Sequence, residues 1–185
     1  MLVLLDRDGV LNEDRPDHVL NPGQLVMIPG AAAAVARLKA AGHLVAICTN
    51  QSCVGRGMIA PAMLDRIHDR LRDELARAGG QVDLLLACTD PPWAAGPRRK
   101  PAPGMLREAL SHFRVPASET PFIGDSLGDL QAAQAAGCRR ILVRTGKGAA
   151  TQASGIAADL LPVAVRVDLA EAVDALLGEW APTAP

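Results

Sequence analysis

The sequence lacks the features that mark membrane-bound and secreted proteins. No apolar run in its 185 residues approaches the roughly 20 residues that a membrane-spanning helix needs. Met1 leads directly into an apolar segment, without the basic leader and cleavage site of a signal peptide. Tyrosine is absent and aromatic residues make up only 2% of the chain, which we attribute to genome composition. We therefore expect a cytoplasmic protein without a membrane partner.

Paired cysteines and basic clusters are missing as well. The chain has four widely spaced cysteines, Cys48, Cys53, Cys88 and Cys138. They form no CxxC motif, so we expect reduced thiols rather than disulfide bonds. The net charge is −1, and acidic and basic residues are interleaved. Because nucleic acids and anionic membranes bind clustered basic surfaces, this pattern argues against both as partners. We expect a monomer that binds a small molecule.

The residues that are present favour one α/β domain over 1–185. Hydrophobic residues make up 49% of the chain and charged residues 21%, which is enough for a full core. Short apolar runs alternate with amphipathic stretches, a pattern that predicts a parallel sheet covered by helices on both faces. The predicted strands are Leu2–Leu5, Leu44–Cys48, Val82–Ala87, Pro121–Ile123, Arg140–Val143 and Val163–Val167. The predicted helices are Gly30–Ala41, Pro61–Ala78, Pro103–Phe113, Leu127–Ala136 and Leu169–Leu177.

Polar clusters follow four of these strands or close the loop beyond one. Because ligands of open parallel sheets bind beyond the carboxyl ends of the strands, we expect the clusters to converge on one site. Each alone has a simpler explanation, such as a surface turn or a helix cap, but coincidence at all four is improbable. The clusters are Asp6–Gly9, Thr49–Ser52, Arg99–Pro101 and Gly124–Asp129.

These residue types suit phosphoryl transfer. Asp6 can attack phosphorus as a carboxylate nucleophile, and Asp8 can act as the general acid and base. We expect a turn at Gly9 to direct Asp8 towards the same site as Asp6. Asp125 adds a hard oxygen ligand for Mg²⁺. The charge that develops on the phosphoryl oxygens can be met by Thr49, the Asn50 backbone amide and Lys100.

The four clusters resemble the motifs of the haloacid dehalogenase (HAD) superfamily of phosphatases. DRDG at Asp6–Gly9 looks like its first motif, Thr49 its second, Lys100 its third and GDSLGD at Gly124–Asp129 its fourth. Longer matches look most like the family of heptose 1,7-bisphosphate 7-phosphatases, which act in building bacterial lipopolysaccharide. These matches are DRDGVLN, TNQS, RKPAPGM and VRTGKG, at Asp6–Asn12, Thr49–Ser52, Arg99–Met105 and Val143–Gly148. Histidinol-phosphate phosphatases are similar but fit RTGKG less well.

The resemblance implies a Rossmann-like domain with small loop insertions as its only cap. It also implies an aspartyl-phosphate on Asp6, with Asp8 as acid and base. Mg²⁺ would be held by the Asp6 carboxylate, the Asp8 backbone carbonyl and Asp125. Arg99 and Lys100 would bind substrate phosphate. The residues expected to face the substrate are Asn12, Ser52 and Arg56.

The function expected from the resemblance is removal of the 7-phosphate of the heptose bisphosphate. Phosphatases of histidinol phosphate or of another small phosphomonoester are the alternative. A catalytically silent phosphate-binding protein is a further alternative, against which the intact Asp6, Asp8, Lys100 and Asp125 argue.

The chain departs from the family pattern in two places. Cys53 replaces the usual glycine and would be an oxidisable thiol near the site. The loop after the third strand normally carries Cys-x-His and Cys-x-Cys as zinc ligands, but here only Cys88 remains, so no structural zinc is expected. We expect an ion pair between Asp90 and Arg98, with Trp93 packed over the loop, to take the place of the metal. The alternative is that both charges are solvated and that Pro91, Pro92 and Pro97 hold the loop by limiting its freedom in the unfolded chain.

Overall fold

The computed structural model of the chain describes residues 1–180 and contains one six-stranded sheet. The strands lie in the order β3-β2-β1-β4-β5-β6, and every neighbouring pair is parallel, as predicted. Residues 181–185 of the predicted domain lie outside the described residues. The strands are β1 Leu2–Leu5, β2 Leu44–Asn50, β3 Leu84–Cys88, β4 Pro121–Gly124, β5 Arg139–Val143 and β6 Val163–Arg166.

Helices join the strands, and the two longest segments outside α-helices and strands follow β1 and β3, at residues 6–30 and 89–103. Two short helices, α2 and α6, were not predicted, because runs of four and six residues are too short to show helical periodicity. None of the helices within 1–180 is long and apolar enough to cross a membrane. The helices are α1 Ala31–Ala40, α2 Ser52–Gly55, α3 Pro61–Arg77, α4 Gly104–Phe113, α5 Leu127–Ala136, α6 Gly148–Ala153 and α7 Leu169–Trp180.

The sheet has an apolar core on each face. Successive side chains of a strand point to opposite faces, so Val3 and Leu5 of β1 join one core and Leu2 and Leu4 the other. The first core is closed by α1, α3 and α7, and the second by α4 and α5. Each fully buried Leu or Val contributes about 1.5–3 kcal/mol relative to an exposed one. Because the strands are buried on both faces, their register is held and the positions of their carboxyl ends are fixed.

Candidate active site

A cavity of about 250 Å³ opens at the carboxyl edge of the sheet. It draws its walls from the loops after β1, β2, β3, β4 and β5, so residues far apart in sequence meet there. The lining residues are Asp6, Asp8, Asp14, His18, Thr49, Asn50, Ser52, Arg99, Lys100, Asp125, Ser126, Gly128, Asp129 and Lys147. All four predicted polar clusters contribute to it.

Asp6 lies in this cavity directly after β1. Its backbone N–H donates to the Ile123 carbonyl of β4 (2.9 Å), and its Oδ1 is 2.8 Å from Lys100 Nζ. Burial raises the pKa of Asp6 to about 7, with Asp129 adding to the rise and Lys100 opposing it. The carboxylate is therefore fixed in place, weakly solvated and more basic than an ordinary aspartate, as a nucleophile requires.

Lys100 connects two carboxylates at the floor of the cavity. Its Nζ is 2.8 Å from Asp6 Oδ1 and 2.7 Å from Asp129 Oδ1, and its side chain is 3% exposed. Although burial opposes the charge, Asp129 and Asp6 hold the pKa of Lys100 above its usual value. The Asn50 side chain donates to the Lys100 carbonyl (2.9 Å) and accepts from the Lys100 N–H (3.1 Å). Asn50 therefore fastens Lys100 through its side chain, a role that the sequence analysis missed.

Asp8 is held by three side chains. Arg7 donates to both its carboxylate oxygens (2.8 and 3.0 Å from Nη2), Asn12 Nδ2 donates at 2.8 Å and Gln51 Nε2 at 2.7 Å. Burial would raise the pKa of Asp8, but Arg7, Asn12 and Gln51 together hold it below the usual value. Free Asp8 is thus a carboxylate at neutral pH, the form that accepts a proton.

The turn predicted at Gly9 is present. Gly9 has φ +81°, and its N–H donates to the Asn12 carbonyl (2.7 Å). A Cβ at Gly9 would lie 2.0 Å from Asp125 Oδ2, so the turn packs directly against that carboxylate. Gly146, with φ +55°, closes the other side, where a Cβ would lie 2.5 Å from the Gly9 Cα. No side chain fits at either position.

The acidic groups of the cavity fit a divalent cation. Carboxylate oxygens of Asp6, Asp125 and Asp129 lie within 4.8 Å of one another. Burial, and then the negative charges of Asp6 and Asp129, raise the pKa of Asp125 to about 8. Both carboxylate oxygens of Asp129 are engaged, Oδ1 by Lys100 and Oδ2 by Ser126. Lys100 contacts Asp6 through Oδ1 and Lys147 contacts Asp125 through Oδ2, so Asp6 and Asp125 are the better ligands. One or two carboxylates are what Mg²⁺ takes in sites that also bind phosphate.

The predicted substrate-facing residues divide into two groups. Thr49, Ser52 and Arg99 line the cavity. Asn12 and Arg56 do not, contrary to expectation. Asn12 is fully buried and orients Asp8, because its amide is taken up by local hydrogen bonds. Arg56 donates to Ser52 Oγ (3.2 Å) from outside the cavity, and its guanidinium lies 5.1 Å from the centre of the Trp93 ring.

Three further contributions were missed by the sequence analysis. Asp129 was predicted only as a member of the Gly124–Asp129 cluster; it caps α5 by accepting from Ser126, and it also pairs with Lys100. Gln51 links Asp8 to Thr49, to which it donates at 2.9 Å. The Lys147 N–H donates to Asp125 Oδ2 (2.8 Å). The GDSLGD, TNQS and VRTGKG motifs contained all three residues, but only the fold shows what they contact.

The ion pair expected between Asp90 and Arg98 is not formed. Arg98 Nε instead lies 3.1 Å from Glu108 of α4, and Asp90 Oδ2 accepts from the Gly96 N–H at 3.0 Å. The reason is local: the Asp90 carboxylate closes a turn of its own loop, which leaves Arg98 free to reach the neighbouring helix. Trp93 is 72% exposed, so it does not pack over the loop as expected. The Asp90 carbonyl accepts from Arg99 Nη1 at 2.8 Å.

Zinc analysis of the purified protein tests how this loop is held. We expect less than stoichiometric zinc, because Cys88 is the only thiol of the loop and the Asp90 carboxylate is committed to Gly96. Elemental analysis after purification without chelators is the measurement. One equivalent of zinc that disappears in Cys88→Ala would contradict the expectation.

Cys53, expected to be an oxidisable thiol near the site, lies in the core. The residue is buried, and burial raises the pKa of its thiol. Its Sγ lies 3.8 Å from the Gln51 carbonyl. Since the thiolate is the reactive form, Cys53 is a packed core residue and not an exposed oxidisable thiol.

A buried histidine next to Arg7 makes stability depend on pH. His68 of α3 is 4% exposed, and burial, followed by Arg7 and Arg72, lowers its pKa from 6.5 to about 4. The unfolded chain therefore binds a proton that the folded chain rejects, so stability falls as pH drops from 6.5 towards 4. Between about pH 7.5 and pH 4.5 His68 should lower the free energy of unfolding by about 2–3 kcal/mol, and replacing His68 by Leu should remove this loss. Urea titrations of both proteins at several pH values measure the free energy of unfolding. The same dependence of that free energy on pH in both proteins would contradict the prediction.

Comparisons with known proteins agree with this geometry. Residues 97–172 match the family model described as HAD-hydrolase-like. The chain is 45% identical over 150 residues to D-glycero-beta-D-manno-heptose-1,7-bisphosphate 7-phosphatase of Pseudomonas aeruginosa, covering 81% of this chain and 84% of the relative. It is 43% identical over 180 residues to the protein of the same name from Bordetella bronchiseptica, covering 96% and 98%.

A solved structure has the same fold as this chain. The crystal structure of D,D-heptose 1,7-bisphosphate phosphatase from B. bronchiseptica, complexed with magnesium and phosphate, superposes with a TM-score of 0.92 at 41% identity. The alignment covers 96% of this chain and 98% of that one. The α/β architecture, the phosphatase motifs and full-length relatives thus agree, and the chain belongs to the HAD-like hydrolases and, among them, to the phosphatases.

Proposed function

We propose that the chain removes the 7-phosphate of D-glycero-D-manno-heptose 1,7-bisphosphate through an aspartyl-phosphate on Asp6, with Mg²⁺ bound. The observation that carries the chemistry is the Asp6 carboxylate held 2.8 Å from Lys100 and near Asp125 in an open cavity. The substrate is supported by full-length relatives that carry that enzyme's name.

In this proposal Asp6 attacks phosphorus and Lys100 meets the negative charge on the phosphoryl oxygens. Thr49 and Asn50 line the cavity, and the Thr49 hydroxyl and the Asn50 backbone amide would do the same. Mg²⁺ held by Asp6, Asp125 and the Asp8 carbonyl would screen the repulsion between the Asp6 carboxylate and the anionic phosphate. The acyl phosphate divides one difficult hydrolysis into two easier steps.

Asp8 carries the protons of both steps. The phosphate that enters the cavity raises the pKa of Asp8, since a nearby like charge disfavours the carboxylate. Protonated Asp8 then donates to the leaving alkoxide. In the second step Asp8, again a carboxylate, accepts the proton of the water that attacks the acyl phosphate. Arg7, Asn12 and Gln51 keep its oxygens aimed at the cavity during both.

Kinetics on three compounds test the substrate. We expect Mg²⁺-dependent release of phosphate from the heptose 1,7-bisphosphate, with kcat/KM at least about tenfold above that for histidinol phosphate, which corresponds to about 1.4 kcal/mol of discrimination. A small aryl phosphate serves as the reference for reactivity without recognition. A chelator should abolish turnover and added Mg²⁺ should restore it.

The outcomes separate the alternatives. Preference for histidinol phosphate would favour that phosphatase activity instead. Full turnover in chelator would reject the role of Asp125. Tight phosphate binding without turnover of any compound would favour a silent phosphate-binding protein. The proposed function requires both the metal dependence and the preference for the bisphosphate.

A further inference from the structure

Lys147, at the mouth of the cavity, has no side-chain role in the chemistry described above. It lies between β5 and α6, and its Nζ is 3.1 Å from Asp14 Oδ2. Its side chain is 65% exposed, whereas that of Lys100 on the cavity floor is 3% exposed. Both Lys147 and Asp14 line the cavity. The cavity therefore has one lysine at its floor and another at its mouth.

The backbone of Lys147 is firmly placed. Its N–H donates to Asp125 Oδ2 at 2.8 Å, and Thr145 Oγ1 donates to the Gly9 carbonyl at 2.6 Å. Between these two anchors Gly146 packs directly against Gly9. The backbone that carries Lys147 is thus tied to the turn that carries Asp6 and Asp8. A fixed backbone with an exposed, flexible side chain can reach a ligand at the mouth while its attachment point stays still.

The ion pair between Lys147 and Asp14 can be broken at a small cost in free energy. An exposed ion pair of this kind contributes about 0–1 kcal/mol, because water screens both charges. A phosphate group carries more negative charge than one carboxylate and offers more acceptor oxygens, so its hydrogen bonds with an ammonium are stronger. Asp14 would keep the Lys147 side chain over the cavity until a phosphate arrives.

A bisphosphate needs a second cation at this position. The phosphoryl group that reacts must lie at Asp6, and Lys100 there is shared with Asp129. The second phosphate of the same molecule is then left towards the mouth. We propose that Lys147 binds the phosphate of the bisphosphate substrate that is not hydrolysed, leaving Asp14 to do so. The inference rests on the proposed function and deepens it: Lys147 selects bisphosphates over monophosphates.

The test compares the heptose 1,7-bisphosphate with the heptose 7-phosphate, which lacks the second phosphate. In Lys147→Gln we expect the ratio of kcat/KM for the bisphosphate to that for the monophosphate to fall about 10- to 100-fold. The fall should lie in KM for the bisphosphate, because the contact is equally present in the ground and transition states. Lys147→Arg, which keeps the charge, should restore most of the ratio.

Arg37→Gln is the matched control. Arg37 is also an exposed cation paired with an aspartate, Asp174, but on helices away from the cavity, so the ratio should not change. Equal losses on both substrates in Lys147→Gln, or no loss on either, would overturn the inference while the proposed function stands. Failure of the unaltered enzyme to hydrolyse the bisphosphate would overturn both.

Discussion

Replacing Asp6 by Asn is expected to lower kcat by about 10⁴-fold or more, because a neutral amide cannot attack phosphorus as a carboxylate does. The fold should not suffer. Burial raises the pKa of Asp6 to about 7, so at higher pH its charge costs the folded state free energy that the amide does not. We therefore expect the variant to unfold at a temperature no lower than the original chain. Turnover measurements test the expected loss of activity, and thermal unfolding above neutral pH tests the expected stability.

Asp8→Asn provides the contrast. It should leave slow phosphorylation of Asp6 and poor release, with a loss of about 10²–10⁴-fold, as expected when acid–base help is removed. Acid-quenched protein incubated with labelled substrate should therefore carry phosphate in Asp8→Asn and none in Asp6→Asn. Near-normal activity of Asp6→Asn would reject the covalent mechanism.

Replacing Lys100 by Met is expected to affect stability and activity together. Lys100 is the cation between Asp6 and Asp129, and both carboxylates would lose it while remaining largely buried. Removing one partner of a buried ion pair typically costs about 3–5 kcal/mol of unfolding free energy. The loss of charge stabilisation in the transition state should reduce kcat by at least about 10²-fold. Denaturant unfolding and steady-state kinetics are the measurements.

Two further variants separate these effects. Adding Asp129→Asn to Lys100→Met removes one of the uncompensated charges, so stability should partly return while activity stays low. Lys39→Met breaks the pair of Lys39 with Asp83, whose Nζ–Oδ2 distance is 2.6 Å, and lies outside the cavity. Lys39→Met should lower the free energy of unfolding by less than Lys100→Met does and leave kcat unchanged. Recovery of activity in the double variant would contradict the role given to Lys100.

The strands and the clusters at their ends could be predicted because local patterns determine them. Buried parallel strands are short apolar runs, and the polar residue that follows each run marks its carboxyl end. Asp6 and Asp125 therefore reached the same cavity in prediction and in structure. The turn at Gly9 is present, but strand alternation does not explain it, because residues two apart on a strand point to the same face.

Contacts between distant side chains could not be predicted in the same way. Nothing in a Thr-Asn dipeptide indicates that the Asn50 amide binds the backbone of Lys100, because that contact depends on where two loops cross. The expected pair of Asp90 with Arg98 failed for the same reason. The positions of the two residues in a loop that carries zinc in the family suggested it, but Glu108 offered Arg98 a partner from a neighbouring helix.

The contact between Gly9 and Gly146 separates two kinds of glycine in this chain. Gly42 and Gly79 also have positive φ, but a Cβ there would meet nothing within 4 Å, so asparagine or aspartate can replace them at a modest conformational cost. At Gly9 and Gly146 the obstacle is volume, since a single methyl group would collide with the Asp125 carboxylate. Substitutions can therefore accumulate at Gly42 and Gly79 at modest cost. Gly9 and Gly146 can change only if the Asp125 carboxylate is displaced as well.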